Sequence, residues 1–216
     1  MTTSSFHPTL EQLPSELPVF PLTGILLLPR ARLPMNIFED RYLNMVQDVL
    51  GGDRMIGMIQ PEKKGKEALY NKGCAGRITQ FAETRDGRFL ITLKGVCRFT
   101  LSHELEMGEG GYRRIVPDWS EFAGDLVQDS TQFNRDELIE HLKVYFQHKG
   151  ITPNWEAIEK RGDEDLISSL SVVCPFEARE KQALLEVQSL SERAQLMMTL
   201  LEMGAITSGG GSGVQN

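Results

Sequence analysis

Two runs decide the fold: Cys74-Ala75-Gly76-Arg77-Ile78-Thr79-Gln80-Phe81-Ala82-Glu83, and Arg88-Phe89-Leu90-Ile91-Thr92-Leu93-Lys94-Gly95-Val96-Cys97-Arg98-Phe99-Thr100-Leu101. They are joined through Arg85-Asp86-Gly87. An Asp-Gly pair between strand-like runs predicts a β-hairpin, because the turn needs a positive φ that glycine adopts without a Cβ clash. In the second run Phe89, Ile91 and Leu93 fall on one face, with Arg88, Thr92 and Lys94 on the other. Leu90 interrupts that alternation, which predicts a second face that is partly covered.

Upstream of the hairpin, Arg54-Met55-Ile56-Gly57-Met58-Ile59 reads as a buried strand ended by Pro61. Before it, Glu39 to Leu50 is helical: Tyr42, Met45, Val46 and Val49 recur at i, i+3, i+4 and i+7, and Gly51-Gly52 stops the helix. Leu33 to Phe38 is a short strand after a turn bracketed by Pro29 and Pro34. Leu17-Pro18-Val19-Phe20-Pro21-Leu22 carries two prolines, each without an N–H for a ladder, and is expected as an edge strand or extended entry segment. Residues 1–16 read as a flexible arm.

Downstream, Tyr112 to Val116 is one more strand, and the β region 17–121 ends at Pro117 and Trp119. A hinge is expected near Phe122–Ser130. From there the period turns helical. Asn134 to Glu137 has the form of a capping box ahead of a helix lined by Leu138, Leu142, Tyr145 and Phe146, closed by Gly150. Leu142 and its neighbours are expected to dock that helix on the β region. Thr152-Pro153 predicts a cap and first helical position for a short helix 154–160. Helices 163–173 and 175–187 follow, and Ser189-Leu190-Ser191-Glu192 is a second capping box. The helical region spans 131–206, and the Gly/Ser-rich tail 207–216 is read as disordered. Strands first and helices last make an α+β chain.

The 216 residues carry a net charge of −7, distributed unevenly. Residues 1–120 have 15 Lys/Arg and 14 Asp/Glu, residues 121–216 have 8 and 16. An acidic second half repels phosphate backbones, which argues against nucleic acid as a partner. No run approaches the ~20 apolar residues of a membrane span. The N-terminus has neither the basic nor the apolar segment of a signal peptide, so the expectation is a cytoplasmic protein with no membrane partner. Cys74, Cys97 and Cys174 are three and far apart, which reads as buried reduced thiols.

The chemistry-bearing patterns of enzymes do not assemble. Gly65-Lys66 is followed by Glu67, where a phosphate cradle needs Ser or Thr. Ser212 sits in a Gly-rich tail, with Val214 in place of the last glycine of a nucleophile elbow. His103-Glu104 has Met107 where a zinc-protease motif needs histidine. His141 and His148, seven apart on one helix, are expected as exposed surface residues rather than metal ligands. Asp163-Glu164-Asp165 sits at a helix start, where negative charge offsets the dipole. No catalytic residue, metal or cofactor is therefore assigned.

Several segments together carry a resemblance. Leu17-Pro18-Val19-Phe20-Pro21-Leu22 followed by Pro29 and Pro34, then Leu69-Tyr70-Asn71-Lys72-Gly73-Cys74-Ala75-Gly76-Arg77-Ile78, then Gly87-Arg88-Phe89 through Leu93-Lys94-Gly95-Val96-Cys97-Arg98-Phe99, resemble in order the N-terminal domain of Lon proteases. The helical pattern Asp165-Leu166 to Leu170, Phe176, Lys181, Leu184-Leu185 and Leu190 to Leu201 extends the likeness to roughly residues 15–204. The resemblance implies a β-rich pseudo-barrel of PUA-like type followed by a helical bundle, without the ATPase motifs or the Ser–Lys dyad of full-length Lon. It further implies a non-catalytic module that recognises protein or peptide segments, with a AAA+ protease or a chaperone among its candidate partners. An RNA-binding PUA-like module is the alternative, disfavoured by the charge. An unrecognised enzyme is a third reading. If segments are bound near the junction of the two regions, the aromatics Phe38, Tyr42, Tyr145 and Trp155 are the candidate contacts, since aromatics give large contact area at low entropy cost.

Overall fold

The computed structural model describes residues 8–63, 68–127 and 133–207. Six strands, β1 (Leu17–Pro21), β2 (Arg32–Ile37), β3 (Met55–Pro61), β4 (Leu69–Glu83), β5 (Phe89–Glu104) and β6 (Arg113–Asp118), form one mixed sheet in the order β2-β5-β4-β3-β1-β6. β6 also pairs with β5. The circuit β5-β4-β3-β1-β6 therefore closes into a small barrel, and β2 is left as an edge strand on β5. The Asp-Gly hairpin is present, with Gly87 at φ +79°. The chain is α+β, a β pseudo-barrel followed by helices.

β1 lies inside the circuit, parallel to β3 and antiparallel to β6, not at an edge. The prolines are accommodated by offset pairing. Pro18 stands opposite Arg114 of β6, Pro21 opposite Ile59 of β3, and only Val19 is paired on both sides. Each proline thus has one flank without a ladder partner, where a missing N–H costs nothing.

β3 is buried along both faces because two cores press on it. Its Met55 and Ile59 join Leu17, Val19, Ala75, Cys97, Phe99 and Ile115 inside the barrel. Space for the Phe99 ring comes from glycine: a Cβ at Gly73 would fall 2.4 Å from its Cζ, and one at Gly57 3.2 Å from its Cε1. Phe122, expected near a hinge, is buried in this same cluster from a 3-10 helix over Ser120–Leu126; residues 128–130 of the expected hinge lie outside the described residues. Leu13 also enters the cluster, after a 3-10 turn at Leu10–Gln12. Leu13 thus anchors the described part of the segment read as a loose arm, 8–16, while 9–12, 15 and 16 are exposed.

The other face of β3, with Ile56 and Met58, belongs to a larger core shared with helices. Helix α1 (Asp40–Leu50) contributes Met45 and Val46, and its stripe is as the period predicts. Helices α2 (Arg135–Lys149), α3 (Trp155–Glu159), α4 (Asp163–Val173), α5 (Ala178–Glu186) and α6 (Leu190–Thr207) supply the rest. Asn134 accepts from Glu137 N, and Gly150 closes α2 in the left-handed region at φ +64°. Ser189 and Glu192 make reciprocal bonds of 3.2 Å each at the start of α6. The short helix is capped by Asn154, which accepts from Ala157 N, rather than by Thr152. An Asn side chain one residue before the helix outcompetes a Thr that Pro153 holds extended. Helix α5 opens at Glu177, not Pro175, through a capping box with Glu180.

Leu138, Leu142, Tyr145 and Phe146 are buried as expected, but the main partner of α2 is α6, not the sheet. The reason is α6 itself: its apolar stripe of Ala194, Met197, Met198, Leu201 and Ala205 needs a facing helix. The Tyr145 ring also lies against Gly204, where a Cβ would come within 2.6 Å of Cε2. Residues 208–216 of the expected tail lie outside the described residues.

Candidate functional site

The register of β2, β5 and β4 composes a surface residue by residue. Cross-strand partners point to the same side of a sheet. One row is Asn36–Leu90–Ala82, the next Pro34–Thr92–Gln80, the third Arg32–Lys94–Arg77. Thr92 Oγ1 donates to Gln80 Oε1 at 2.8 Å across the middle row. Phe38, on the same side as Asn36 by strand alternation, extends the first row, with the Arg88 guanidinium 5.9 Å from its ring centroid. The face thus runs from apolar through polar to cationic. Leu90 is 47% exposed and Phe38 63% exposed. That face is partly covered, Thr92 and Lys94 being half-buried, but Leu90 itself is exposed; its β5 neighbours Phe89 and Ile91 face the core.

The cationic row lies at the rim of the barrel, since Arg77 follows by two residues the inward-facing Ala75. Arg30 stands beside it, in a turn with φ +67°. Its N–H donates to the Gly95 carbonyl at 2.9 Å, and Gly95 N–H donates to Ala31 O at 2.9 Å. Only glycine fits at position 95, because a Cβ would sit 1.9 Å from the Leu28 carbonyl oxygen. Arg30 reaches Glu164 and also donates to Val127 O at 2.8 Å. The acidic first turn of α4 is consumed by three arginines: Asp163 pairs with Arg135, Glu164 with Arg30 and Asp165 with Arg161. The carboxylates expected to offset the dipole at this helix start are thus also tied into ion pairs. Arg32, Lys94 and Arg77, in contrast, have no carboxylate within ion-pair distance among the described residues.

Polar bonds stitch the barrel to the helices around this face. Arg98, buried on β5, meets Asp125 through Nε–Oδ2 at 2.9 Å and Nη2–Oδ1 at 2.8 Å, and donates to the carbonyls of Leu185 in the last turn of α5 and of Val187 and Gln188 in the link to α6. Arg193, also buried, donates to Leu184 O at 2.9 Å; burial pulls its pKa down to about 10. Gln60 of β3 donates to Ala178 O and to Gln182 Oε1. Lys181 donates to Gly24 O at 3.0 Å and Val172 O at 3.2 Å, and burial lowers its pKa from the usual lysine value. Burial likewise pushes the Cys97 and Cys174 thiols up to about 12 and Cys74 well above the ordinary range. These thiols are protonated and poor nucleophiles at neutral pH.

Of the four aromatics singled out in the sequence, the structure brings none together at one exposed site. Tyr42 is buried and stacked on Phe20, ring centroids 3.9 Å apart. Tyr145 is buried between Phe146, Phe176 and Gly204. Core packing claims both, since each sits on the inner stripe of its helix. Trp155 is half-buried against Phe146. Phe38 alone is largely exposed. His141 and His148 line a shallow groove between α2 and α6 with Glu137 and Glu140.

The family model of the ATP-dependent protease La (LON) substrate-binding domain matches residues 16–203. The chain belongs to this family. Among its relatives, the Lon protease of Flavobacterium johnsoniae is 25% identical over 192 residues, which cover 85% of this chain and 23% of that protein. The Lon protease of Cytophaga hutchinsonii is 24% identical over 203 residues, 89% of this chain and 24% of that protein. The LON chain described here thus spans about a quarter of the length of these relatives. Its fold is shared with the Lon N-terminal domain protein from Xanthomonas campestris, at a TM-score of 0.61 and 20% identity over 85% of this chain and 97% of that one. It is shared as well with the N-terminal domain of Mycobacterium avium complex Lon protease, at a TM-score of 0.61 and 15% identity over 87% and 98%. Among the described residues, no helix of this LON domain is long and apolar enough to cross a membrane.

Proposed function

We propose that this LON domain is a non-catalytic recognition module that holds extended, partly apolar segments of client polypeptides on the outer face of β2, β5 and β4, and presents them to a protease or chaperone machine. The observation that carries the reading is the exposed apolar end of that face, Phe38 and Leu90, beside the edge strand β2. An edge strand offers unpaired N–H and C=O groups to an added strand, and neighbouring side chains then set preference. Membership of a substrate-binding family supports the same reading. So does the tying-up of chemistry elsewhere: the thiols are buried and the acidic turn of α4 is held in ion pairs. RNA finds less support: of the aromatics near this face Phe38 is exposed, but the Phe81 ring is packed edge-on against Phe89, and base stacking needs successive free platforms. Trp155, half-buried at the helical side, is a second-rank contact.

The test is fluorescence anisotropy with a labelled, chemically unfolded globular protein. Phe38→Ser with Leu90→Ser is expected to weaken binding by about tenfold, the scale of losing one or two apolar anchors. Unchanged affinity in that variant, or reproducible ATP or casein hydrolysis lost in a point mutant, would sink the proposal.

A further inference from the structure

The row Arg32–Lys94–Arg77 sets three like charges directly opposite one another on adjacent strands. Neighbouring strands are about 4.8 Å apart, so the row spans only about 10 Å. Like charges in register destabilise a sheet, whereas opposite charges across strands stabilise it. Here the nearby acids are already engaged: Asp125 by Arg98, Glu164 by Arg30, Asp165 by Arg161. Among the described residues no free carboxylate is supplied to the cationic row, which is therefore complementary to an anion.

We infer that this row selects acidic client segments: the polypeptides held on the outer face carry a cluster of Asp or Glu about four residues from an apolar side chain. This inference rests on the client-binding reading and adds the chemical class. The spacing comes from β5 itself, since Lys94 and Leu90 are four residues apart on one side of the strand, about 13 Å. The walls fit a polypeptide rather than a nucleic acid. Arg30, Arg32 and Lys94 line two adjoining concavities, one running in to Arg77 and Leu126, the other out to Arg161, Val172 and Val173. Val173 is 76% exposed. Among the described residues no aromatic lines either concavity, so bases would find no stacking surface there, whereas aliphatic side chains between carboxylates would find Val172 and Val173. The helical region that forms the second wall is net acidic, which disfavours a long polyanion but not a short acidic stretch seated at the row.

The experiment uses two fluorescein-labelled peptides on the full chain at low salt. One carries a Glu-Glu-Glu block, a Ser/Thr spacer of about four residues and a Leu-Phe pair; its twin carries Gln for Glu. The wild type binds the acidic peptide about tenfold more tightly than the twin, and the preference fades as salt screens it. Arg32→Gln with Lys94→Gln abolishes the preference and leaves the affinity for the twin. Should that pair of changes lower the melting temperature, Lys94→Gln alone carries the test. Phe38→Ser with Leu90→Ser weakens both peptides. Equal binding of the two peptides, or a preference that survives in the charge variants, overturns the acidic selection while leaving the client surface intact. Failure of both peptides to bind removes the surface reading as well. An oligo-dT that binds more tightly than the acidic peptide and displaces it makes the row a phosphate site and overturns the inference.

Discussion

Arg98 and Asp125 meet edge to edge, two parallel N–H···O bonds of 2.9 and 2.8 Å, with the Arg98 backbone N–H adding a third bond to Oδ2 at 2.9 Å. The guanidinium lies 4.2 Å from the Phe122 ring centroid. Its remaining donors go to the carbonyls that end α5 and lead into α6. One side chain thus fixes the barrel, the 3-10 helix that plugs it and the helical region.

Arg98→Ala removes both guanidinium bonds to Asp125, leaving that carboxylate only the backbone N–H at position 98, and takes the guanidinium donor from the carbonyls of Leu185, Val187 and Gln188, of which Val187 O keeps Arg193. Breaking a buried ion pair from one side costs about 3–5 kcal/mol. Arg98→Lys should recover little of this, since an ammonium cannot reproduce the planar fork that serves Asp125 and the carbonyls together. Both values are measured by urea denaturation. A loss below about 0.5 kcal/mol for Arg98→Lys, the range of ordinary surface changes, would show that the fork geometry does not matter.

Leu142 tests the α2–α6 contact. It is fully buried in the core shared by barrel and helices. Leu142→Ala should destabilise by about 2–5 kcal/mol, the transfer term plus the cavity left behind. Because α2 packs chiefly on α6, the loss should appear first as raised amide exchange in these two helices, ahead of the barrel strands. A variant that melts like wild type, or that loosens β3 before α6, contradicts this packing.

The hairpin shows how far the sequence could be read. Asp86-Gly87 fixes the turn, and the pairs near it follow by counting: Glu83↔Phe89, Ala82↔Leu90, Gln80↔Thr92. Counting further would set Lys94 opposite Ile78. An irregularity between Ile78 and Gln80 moves it opposite Arg77, and this one-residue shift assembles the cationic row. No local signal announces it, since Thr79 is unremarkable in a strand. Helix caps were legible where one candidate stood alone, as at Asn134 and Ser189, and misread where two competed, as at Thr152 and Asn154. Period could show that Tyr42 and Tyr145 sit on apolar stripes, but not whether those stripes faced a core or a cleft. Phe38 differs because it follows the edge strand β2, on the side that no helix covers among the described residues.

Glu121 provides the pH test. Its carboxylate accepts from Lys72 Nζ, from Thr100 Oγ1 at 2.7 Å and from Gln188 Nε2 at 2.7 Å, joining β4, β5 and the α5–α6 connection at the edge of the barrel plug. The Lys72 bond foremost, then Thr100, hold its pKa down to about 2, against an ordinary value of 4.5. A depressed folded pKa means that between these values the unfolded chain binds a proton that the folded chain does not. The stabilisation is complete above about 4.5 and is lost as pH falls through about 2. Glu121→Gln removes the ionisable partner but keeps an acceptor oxygen. The stability difference between wild type and Glu121→Gln, measured by denaturant titration, should be largest near neutral pH and shrink across that window. Added salt should reduce it, because the group is partly exposed. A difference that stays constant from neutral pH down to about pH 2 would mean that Glu121 contributes shape at this junction rather than charge.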